Sequence, residues 1–169
     1  MISKIALKKI LYLSSILVFS TLFTSCYSYR IVNKEQRHTK PINNSQEKVY
    51  VLNADTLKNE LKILEYSNLF EIVADSLEAD SYIRLYPPRL RFVCGMGMIV
   101  PIMTLGQLPG YLPEDRIFEF DLISKNEELK YEFQLDVMKR IWFWDIFSTK
   151  KNREKILGKV LYAEWKNKK

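Results

Sequence analysis

The sequence predicts an α+β domain: a mostly antiparallel sheet with one N-terminal and one C-terminal helix packed on it, after a signal peptide and a flexible tether. Residues 116–123 and 129–137 alternate between apolar and polar side chains and are joined by the short polar segment 124–128. This pattern is typical of an antiparallel hairpin with one buried and one solvated face. Apolar residues recur at helical spacing in two other segments, 55–66 and 152–166. The chain has 169 residues, of which 47% are apolar, so a single domain with its own core is expected.

The N-terminal half of this domain is expected to combine strands with one helix. Short runs rich in β-forming residues predict strands at 48–53, 69–73, 81–86 and 90–94. Between the first two runs, Leu57, Leu61 and Leu64 recur on one helical face. Asp55 is a suitable capping residue for this helix, which is expected to reach about Tyr66.

Two apolar segments lack a clear period. Residues 96–113 carry no charge and contain three Met, three Gly and three Pro, so they are too short and too interrupted to span a bilayer. They are interpreted as a buried loop or short helix, or else as a surface that touches lipid or a partner protein. Residues 141–147 are rich in aromatic side chains and fit either a buried strand or the first turn of a helix.

The N-terminus has the layout of a secretory signal peptide. Three lysines lie within residues 1–9, residues 10–23 are uncharged and mostly apolar, and small residues precede Cys26. The apolar run is shorter than the roughly 20 residues that a membrane-spanning helix needs. Residues 1–25 are therefore expected to be removed. The alternatives are an ordinary cleaved signal peptide with an incidental cysteine, and an uncleaved N-terminal anchor.

The run Phe23-Thr24-Ser25-Cys26 resembles the lipobox of bacterial lipoproteins, with Phe23 at the position that usually holds Leu. The resemblance implies that Phe23, Thr24 and Ser25 are recognised for cleavage and that Cys26 carries a thioether-linked diacylglyceryl group. Two or three acyl chains anchor a protein stably, whereas one does not. In enteric bacteria an Asp after the cysteine retains a lipoprotein in the inner membrane. Tyr27 stands there, which favours the outer membrane, with the domain facing the periplasm.

Residues 26–47 are expected to form the lipidated cysteine and a flexible polar tether, and residues 48–169 the single α+β domain. His38, the only histidine, falls in the tether, which excludes a histidine-based catalytic centre in the domain. Cys94 then has no cysteine partner, so no internal disulfide is expected.

No catalytic or cofactor motif is found in the sequence. The glycines do not form a phosphate-binding loop, and neither a nucleophile elbow nor a zinc-binding cysteine set is present. The protein is therefore predicted to have no enzymatic activity, no cofactor and no metal site. Nucleic acid is not expected as a partner either, because a secreted domain rarely meets it.

The run Thr104-Leu105-Gly106-x-x-Pro109, followed by the two alternating strands and the Trp-rich segment 141–147, is similar to small bacterial envelope lipoproteins of uncharacterised function. This resemblance implies residence in the cell envelope. The leading hypothesis is a membrane-anchored, non-enzymatic accessory module that binds an envelope protein. The alternative is a lipoprotein that holds a lipid or another apolar small molecule against the aromatic face of the hairpin. The candidate contact residues for a protein partner are Met103, Leu105, Tyr111, Trp142 and Trp144.

Overall fold

A computed structural model describes residues 27–33, 36, 46–91, 97, 99–104, 107–124, 127–142, 144–145 and 152–168. The strands are β1 (Tyr27–Ile31), β2 (Lys48–Val51), β3 (Glu71–Ile72), β4 (Ser81–Leu85), β5 (Arg89–Arg91), β6 (Gly110–Ile123) and β7 (Glu128–Ile141). The helices are α1 (Lys58–Ser67), α2 (Ile99–Met103) and α3 (Arg153–Lys168), with a 3-10 turn at Ser76–Glu78. The predicted signal peptide and Cys26 lie outside the described residues.

The seven strands within the described ranges form one mixed sheet, in the order β1-β7-β6-β4-β2-β3, with β5 also paired to β6. Strand β2 runs parallel to both β3 and β4, whereas the pairings that involve β6 or β7 are antiparallel. The prediction of a mostly antiparallel sheet is therefore wrong. The parallel pairing follows from the connection after β2. Helix α1 lies against the sheet and carries the chain back to the end at which β2 began, so the next strand, β3, runs parallel to β2.

The predicted hairpin is confirmed, and it is longer than its alternating pattern indicated. Strands β6 and β7 pair over 14 residues each, from Ile123 opposite Glu128 to Gly110 opposite Ile141. The additional residues of β6 are 110–113, from the uncharged segment that ends at Pro113, and the acids Glu114 and Asp115. Proline is tolerated there because β5 reaches only as far as Asp115 along β6, so Pro113 has no β5 partner.

The core lies between one face of the sheet and the helices α1 and α3. It consists of Tyr29, Val49, Val51, Ile63, Leu64, Phe70, Ile83, Leu85, Phe118, Phe120, Leu122, Phe133, Leu135, Val137, Leu157, Val160 and Leu161. The Phe120 ring stacks on Tyr131 and Phe133 of β7 and on Trp165 of α3, with centroid distances of 5.3, 6.1 and 6.1 Å. The aromatic face of the hairpin is thus covered by α3.

Helices α1 and α3 approach closely at Gly158. A Cβ atom on Gly158 would lie 2.8 Å from the carbonyl oxygen of Ile63 and 2.8 Å from the Cβ of Tyr66. Both helices lie close to where helical spacing predicted them. The predicted cap is wrong, however, because α1 begins after Leu57, without a side-chain cap.

Residues 27–31 fall in the range that was predicted as a flexible tether, and this part of the prediction is wrong. They form β1, an edge strand that pairs antiparallel with the last residues of β7. Tyr27, Tyr29 and Ile31 alternate with polar residues and face the core side, where Tyr29 is buried. This alternation is hidden by the polar composition of the rest of residues 26–47.

Candidate functional site

Strands β1 and β6 begin at the same end of the sheet at which β7 ends. Tyr27 pairs with Ile141, and Ile141 pairs with Gly110, so these residues form a row across three neighbouring strands. Residues 97–109, including α2, lead directly into β6, and Trp144 follows β7 closely. We call the exposed hydrophobic surface at this end the apolar end. Its residues are Ile99, Val100, Ile102, Met103, Leu108, Tyr111 and Trp144.

The apolar end is defined by its exposure. Met103, Ile102 and Trp144 are 80%, 67% and 58% exposed. Exposed large hydrophobic residues elsewhere in the described ranges are distributed over separate elements, at Val32, Leu52, Tyr66, Leu77, Tyr82, Leu90 and Leu129. Single exposed apolar residues are ordinary, whereas a group supplied by one short stretch of chain indicates a contact surface.

The segment after β7 is held in place by a buried ion pair. Asp145 is 1% exposed, and its carboxylate accepts hydrogen bonds from the Arg140 guanidinium, with Nε···Oδ2 at 2.9 Å. The hydrogen bond to Asp145 raises the pKa of Arg140 above its ordinary value, so this arginine stays charged. Because both partners are largely shielded from water, the pair fixes the turn on which Trp144 sits.

The segment before β6 is held by Trp142 and Gly97. The indole Nε1 of Trp142 donates a hydrogen bond to the Gln107 carbonyl oxygen at 2.9 Å, and the Arg140 guanidinium lies 5.0 Å from the Trp142 ring centroid. A Cβ atom on Gly97 would lie 1.9 Å from the Tyr111 carbonyl oxygen, so only glycine allows this close approach. These contacts therefore hold in place the segment that carries the exposed apolar side chains.

The structure places the predicted contact residues in different roles. Met103, Tyr111 and Trp144 are exposed in the apolar end, whereas Trp142 is half-buried and braces it. Leu105 lies outside the described residues, as do Phe23, Thr24, Ser25 and Cys26. Sequence reasoning did not single out Ile102, the Arg140–Asp145 ion pair, or the position of Tyr27 beside this surface. The lack of charge in residues 96–113 is the sequence feature that could have indicated Ile102 as a contact residue.

Charged groups on the face of the sheet opposite the helices mostly pair with one another. The buried Glu119 carboxylate accepts from Arg89 Nε at 2.6 Å and lies 3.4 Å from Lys130 Nζ. Burial alone would raise the pKa of Glu119, but the hydrogen bonds and charges of Arg89 and Lys130 outweigh burial and lower it. The Tyr86 hydroxyl donates to Asp121. These pairs engage the buried Glu119 carboxylate and Oδ2 of the buried Asp121, whereas Asp121 Oδ1 has no hydrogen-bond partner among the described residues.

Neither a metal-binding cluster nor a membrane-spanning helix is present among the described residues. No group of three or more His, Cys, Asp or Glu side chains in these ranges is placed to hold a metal ion. None of the helices described is both long and apolar enough to cross a bilayer.

Comparison with known proteins gives distant structural similarity alone. No protein-family model and no curated protein matches the chain. Among solved structures, the chain is similar to a minor lipoprotein from Acinetobacter baumannii, with 14% sequence identity and a TM-score of 0.31. The match covers 73% of this chain and 87% of that one. A likeness at this level carries no argument about the fold or the function of this protein.

Proposed function

We propose that this protein is a lipid-anchored, non-enzymatic accessory protein of the bacterial envelope, and that its apolar end is a contact surface for another envelope component. One observation carries the proposal. Strand β1 begins at Tyr27, the residue directly after Cys26, and is paired into the sheet along its whole length. A lipid on Cys26 therefore holds the apolar end beside the membrane without an intervening tether.

The apolar end is suited to binding rather than to chemistry. Its own side chains are aliphatic or aromatic, and the charged groups beneath it, Arg140 and Asp145, are engaged with each other. The sequence adds that no catalytic motif is present. An outer-membrane position facing the periplasm is supported by Tyr27, where an inner-membrane retention signal would have Asp.

The alternative role, in which a lipid or other apolar molecule lies against the aromatic face of the hairpin, has less support. Trp165 of α3 already occupies this face, with its ring 4.9 Å from Tyr131 and 5.8 Å from Phe133. A ligand bound there would have to displace α3 from the core.

The proposed anchor is tested by replacing Cys26 in the full-length precursor, expressed in a bacterium that processes lipoproteins. Cells are labelled with an alkyne analogue of palmitate, and the protein is followed by gel mobility and by mass spectrometry of its N-terminal peptide. We expect the wild type and the control Cys94→Ala to be labelled and processed. Cys26→Ala is expected to remain an unlabelled precursor. Label that persists in Cys26→Ala would refute the proposed anchor.

A further inference from the structure

We propose that the apolar end is seated in the interface of the lipid bilayer, so that the bilayer itself, rather than a protein, occupies this surface. This inference rests on the proposed lipid anchor at Cys26. It adds an orientation, with the row Tyr27, Ile141 and Gly110 towards the membrane and the loop between β6 and β7 away from it.

A short length of chain separates the proposed lipid attachment point from the apolar end. Neighbouring strands lie about 4.8 Å apart, so Gly110 is roughly 10 Å from Tyr27 across β7. A flexible tether over residues 26–47 would have let the domain stand on the order of 25 Å from the lipid. Because Tyr27 is in a paired strand instead, the lipid attachment point is one residue from the sheet and close to the apolar end.

This short connection also favours the bilayer over a protein as the occupant of the apolar end. A lipid on Cys26 keeps the bilayer permanently beside the apolar end, which gives lipid contacts a high effective concentration. Lipid contacts that are too weak to hold a free domain on a membrane would then still form in the anchored protein. A protein partner would have to enter the narrow space between the domain and the bilayer in order to reach the same side chains.

The side chains of the apolar end have the chemistry of residues found at membrane interfaces. Tyr111 and Trp144 belong to the residue types that concentrate at the level of lipid headgroups, because one part of the ring system is apolar and another is polar. Ile102 and Met103 are apolar and are more exposed than Ile99 and Val100 of the same helix. Residues 96–113 carry no charge, so nothing in this stretch opposes a shallow insertion.

The two ends of the hairpin also differ in charge. Near the apolar end, the acids Glu114 and Asp145 are bound by Arg153 and Arg140, and Lys139 lies 4.7 Å from the centroid of the Tyr27 ring. At the opposite end, seven acids lie beside four bases, Lys48, Arg84, Lys130 and Lys168, with Arg84 3.8 Å from Glu128; the acids are Glu47, Glu71, Asp75, Glu78, Asp80, Glu127 and Glu128. An anionic headgroup surface repels that acidic end and tolerates the apolar end.

The test compares one probe at the two ends of the full-length lipidated protein. In a Cys94→Ala background, Ile102→Cys and Leu77→Cys each receive an NBD fluorophore. Leu77 is the matched control, since it is 90% exposed and lies in the turn before β4, at the acidic end. The proteins are reconstituted into vesicles of phosphatidylethanolamine and phosphatidylglycerol that contain a doxyl-labelled lipid quencher.

We expect the Ile102 probe to be blue-shifted and to lose at least about half of its emission to the quencher, as for a shallow interfacial depth. The Leu77 probe is expected to stay unquenched. Equal quenching of the two probes, or no quenching at Ile102 in protein that carries the lipid, would overturn the inference while leaving the anchor intact. Protein that is purified without lipid on Cys26 would refute the proposed anchor instead.

A second experiment addresses a protein occupant directly. A benzophenone amino acid at position 102 or 77 is activated by light in living cells, and the adducts are identified by mass spectrometry. Lipid adducts at position 102 but not at 77 support the inference. One specific protein captured at position 102, without lipid adducts, would overturn it in favour of an envelope protein partner.

Discussion

The two ends of the β6–β7 hairpin are built from the same pair of strands but carry opposite surface chemistry. The apolar end joins Gly110 and Ile141 to uncharged, exposed aliphatic and aromatic residues. At the loop end, beyond Ile123 and Glu128, the neighbouring turns are acidic. The strands supply rigidity, while the segments that enter and leave them decide what each end contacts. The position of β1 then indicates which end would lie towards the proposed lipid anchor at Cys26.

The largest expected effect comes from breaking the core that both ends share. Gly158→Val places side-chain atoms against the α1 backbone, where even a Cβ atom would lie 2.8 Å from the Ile63 carbonyl oxygen. We expect the free energy of unfolding to fall by about 3 kcal/mol, measured by urea denaturation. The exposed control Lys159→Val on the same helix should change it by less than about 0.5 kcal/mol. Similar values for the two variants would show that the helices are not in close contact at Gly158.

The next prediction contrasts ion pairs at the two ends. Asp145→Ala leaves the largely buried Arg140 without its carboxylate, and we expect a loss of about 2–3 kcal/mol in stability. Glu128→Ala at the loop end removes an exposed pair with Arg84, in which Nη1 and Oε1 are 3.8 Å apart. That change should cost no more than about 0.5 kcal/mol. Equal losses in thermal or urea unfolding would contradict the burial difference between the two ends.

A smaller effect is expected from the brace of the apolar end. Trp142→Phe keeps an aromatic ring but removes the hydrogen bond to the Gln107 carbonyl oxygen. The stability should fall by about 1 kcal/mol. Backbone amide exchange should rise in residues 107–111 and stay unchanged in residues 128–133 at the loop end. A uniform rise in both regions would mean that Trp142 does not act locally.

The smallest effect concerns the polar face midway between the two ends. Burial, followed by the negative charge of Asp136, raises the pKa of Asp115, while Arg91 opposes the shift. A carboxyl whose pKa is raised by folding costs stability when it is ionised, so stability falls as the pH rises through its folded-state pKa. Asp115→Asn should therefore stabilise the protein by about 0.3 kcal/mol at pH 7 and by nothing near pH 3. Glu127→Gln is the control, and a pH-independent effect of Asp115→Asn would contradict this electrostatic explanation.

Local patterns predicted the parts of the fold that depend on local sequence. The alternation in 129–137 and the helical spacing in 152–166 led to β7 and α3. Parallel pairing of β2 was not predictable in this way, because it depends on how α1 returns the chain to the sheet. Strand β1 was missed since its five residues pair with residues 137–141, more than a hundred positions away.

The candidate surface was predicted in part. The absence of charge in residues 96–113 indicated either a buried loop or a contact surface, and only exposure decides between these. The exposure of Ile102 and Met103 favours the contact surface. Trp142 and Trp144 look equivalent in the sequence, yet one braces the surface and the other belongs to it, because Trp142 reaches the Gln107 carbonyl oxygen.

The most direct test of the account is the distance of each end from the membrane. Strand β6 has 14 residues and therefore extends over roughly 45 Å, which is within the range of energy transfer to an acceptor on lipid headgroups. With a donor at position 102 or 77 of the lipidated protein in vesicles, the account predicts that position 102 lies at the bilayer surface and position 77 tens of Å above it. Equal distances, or a position 77 nearer the bilayer, would contradict the proposed seating of the apolar end.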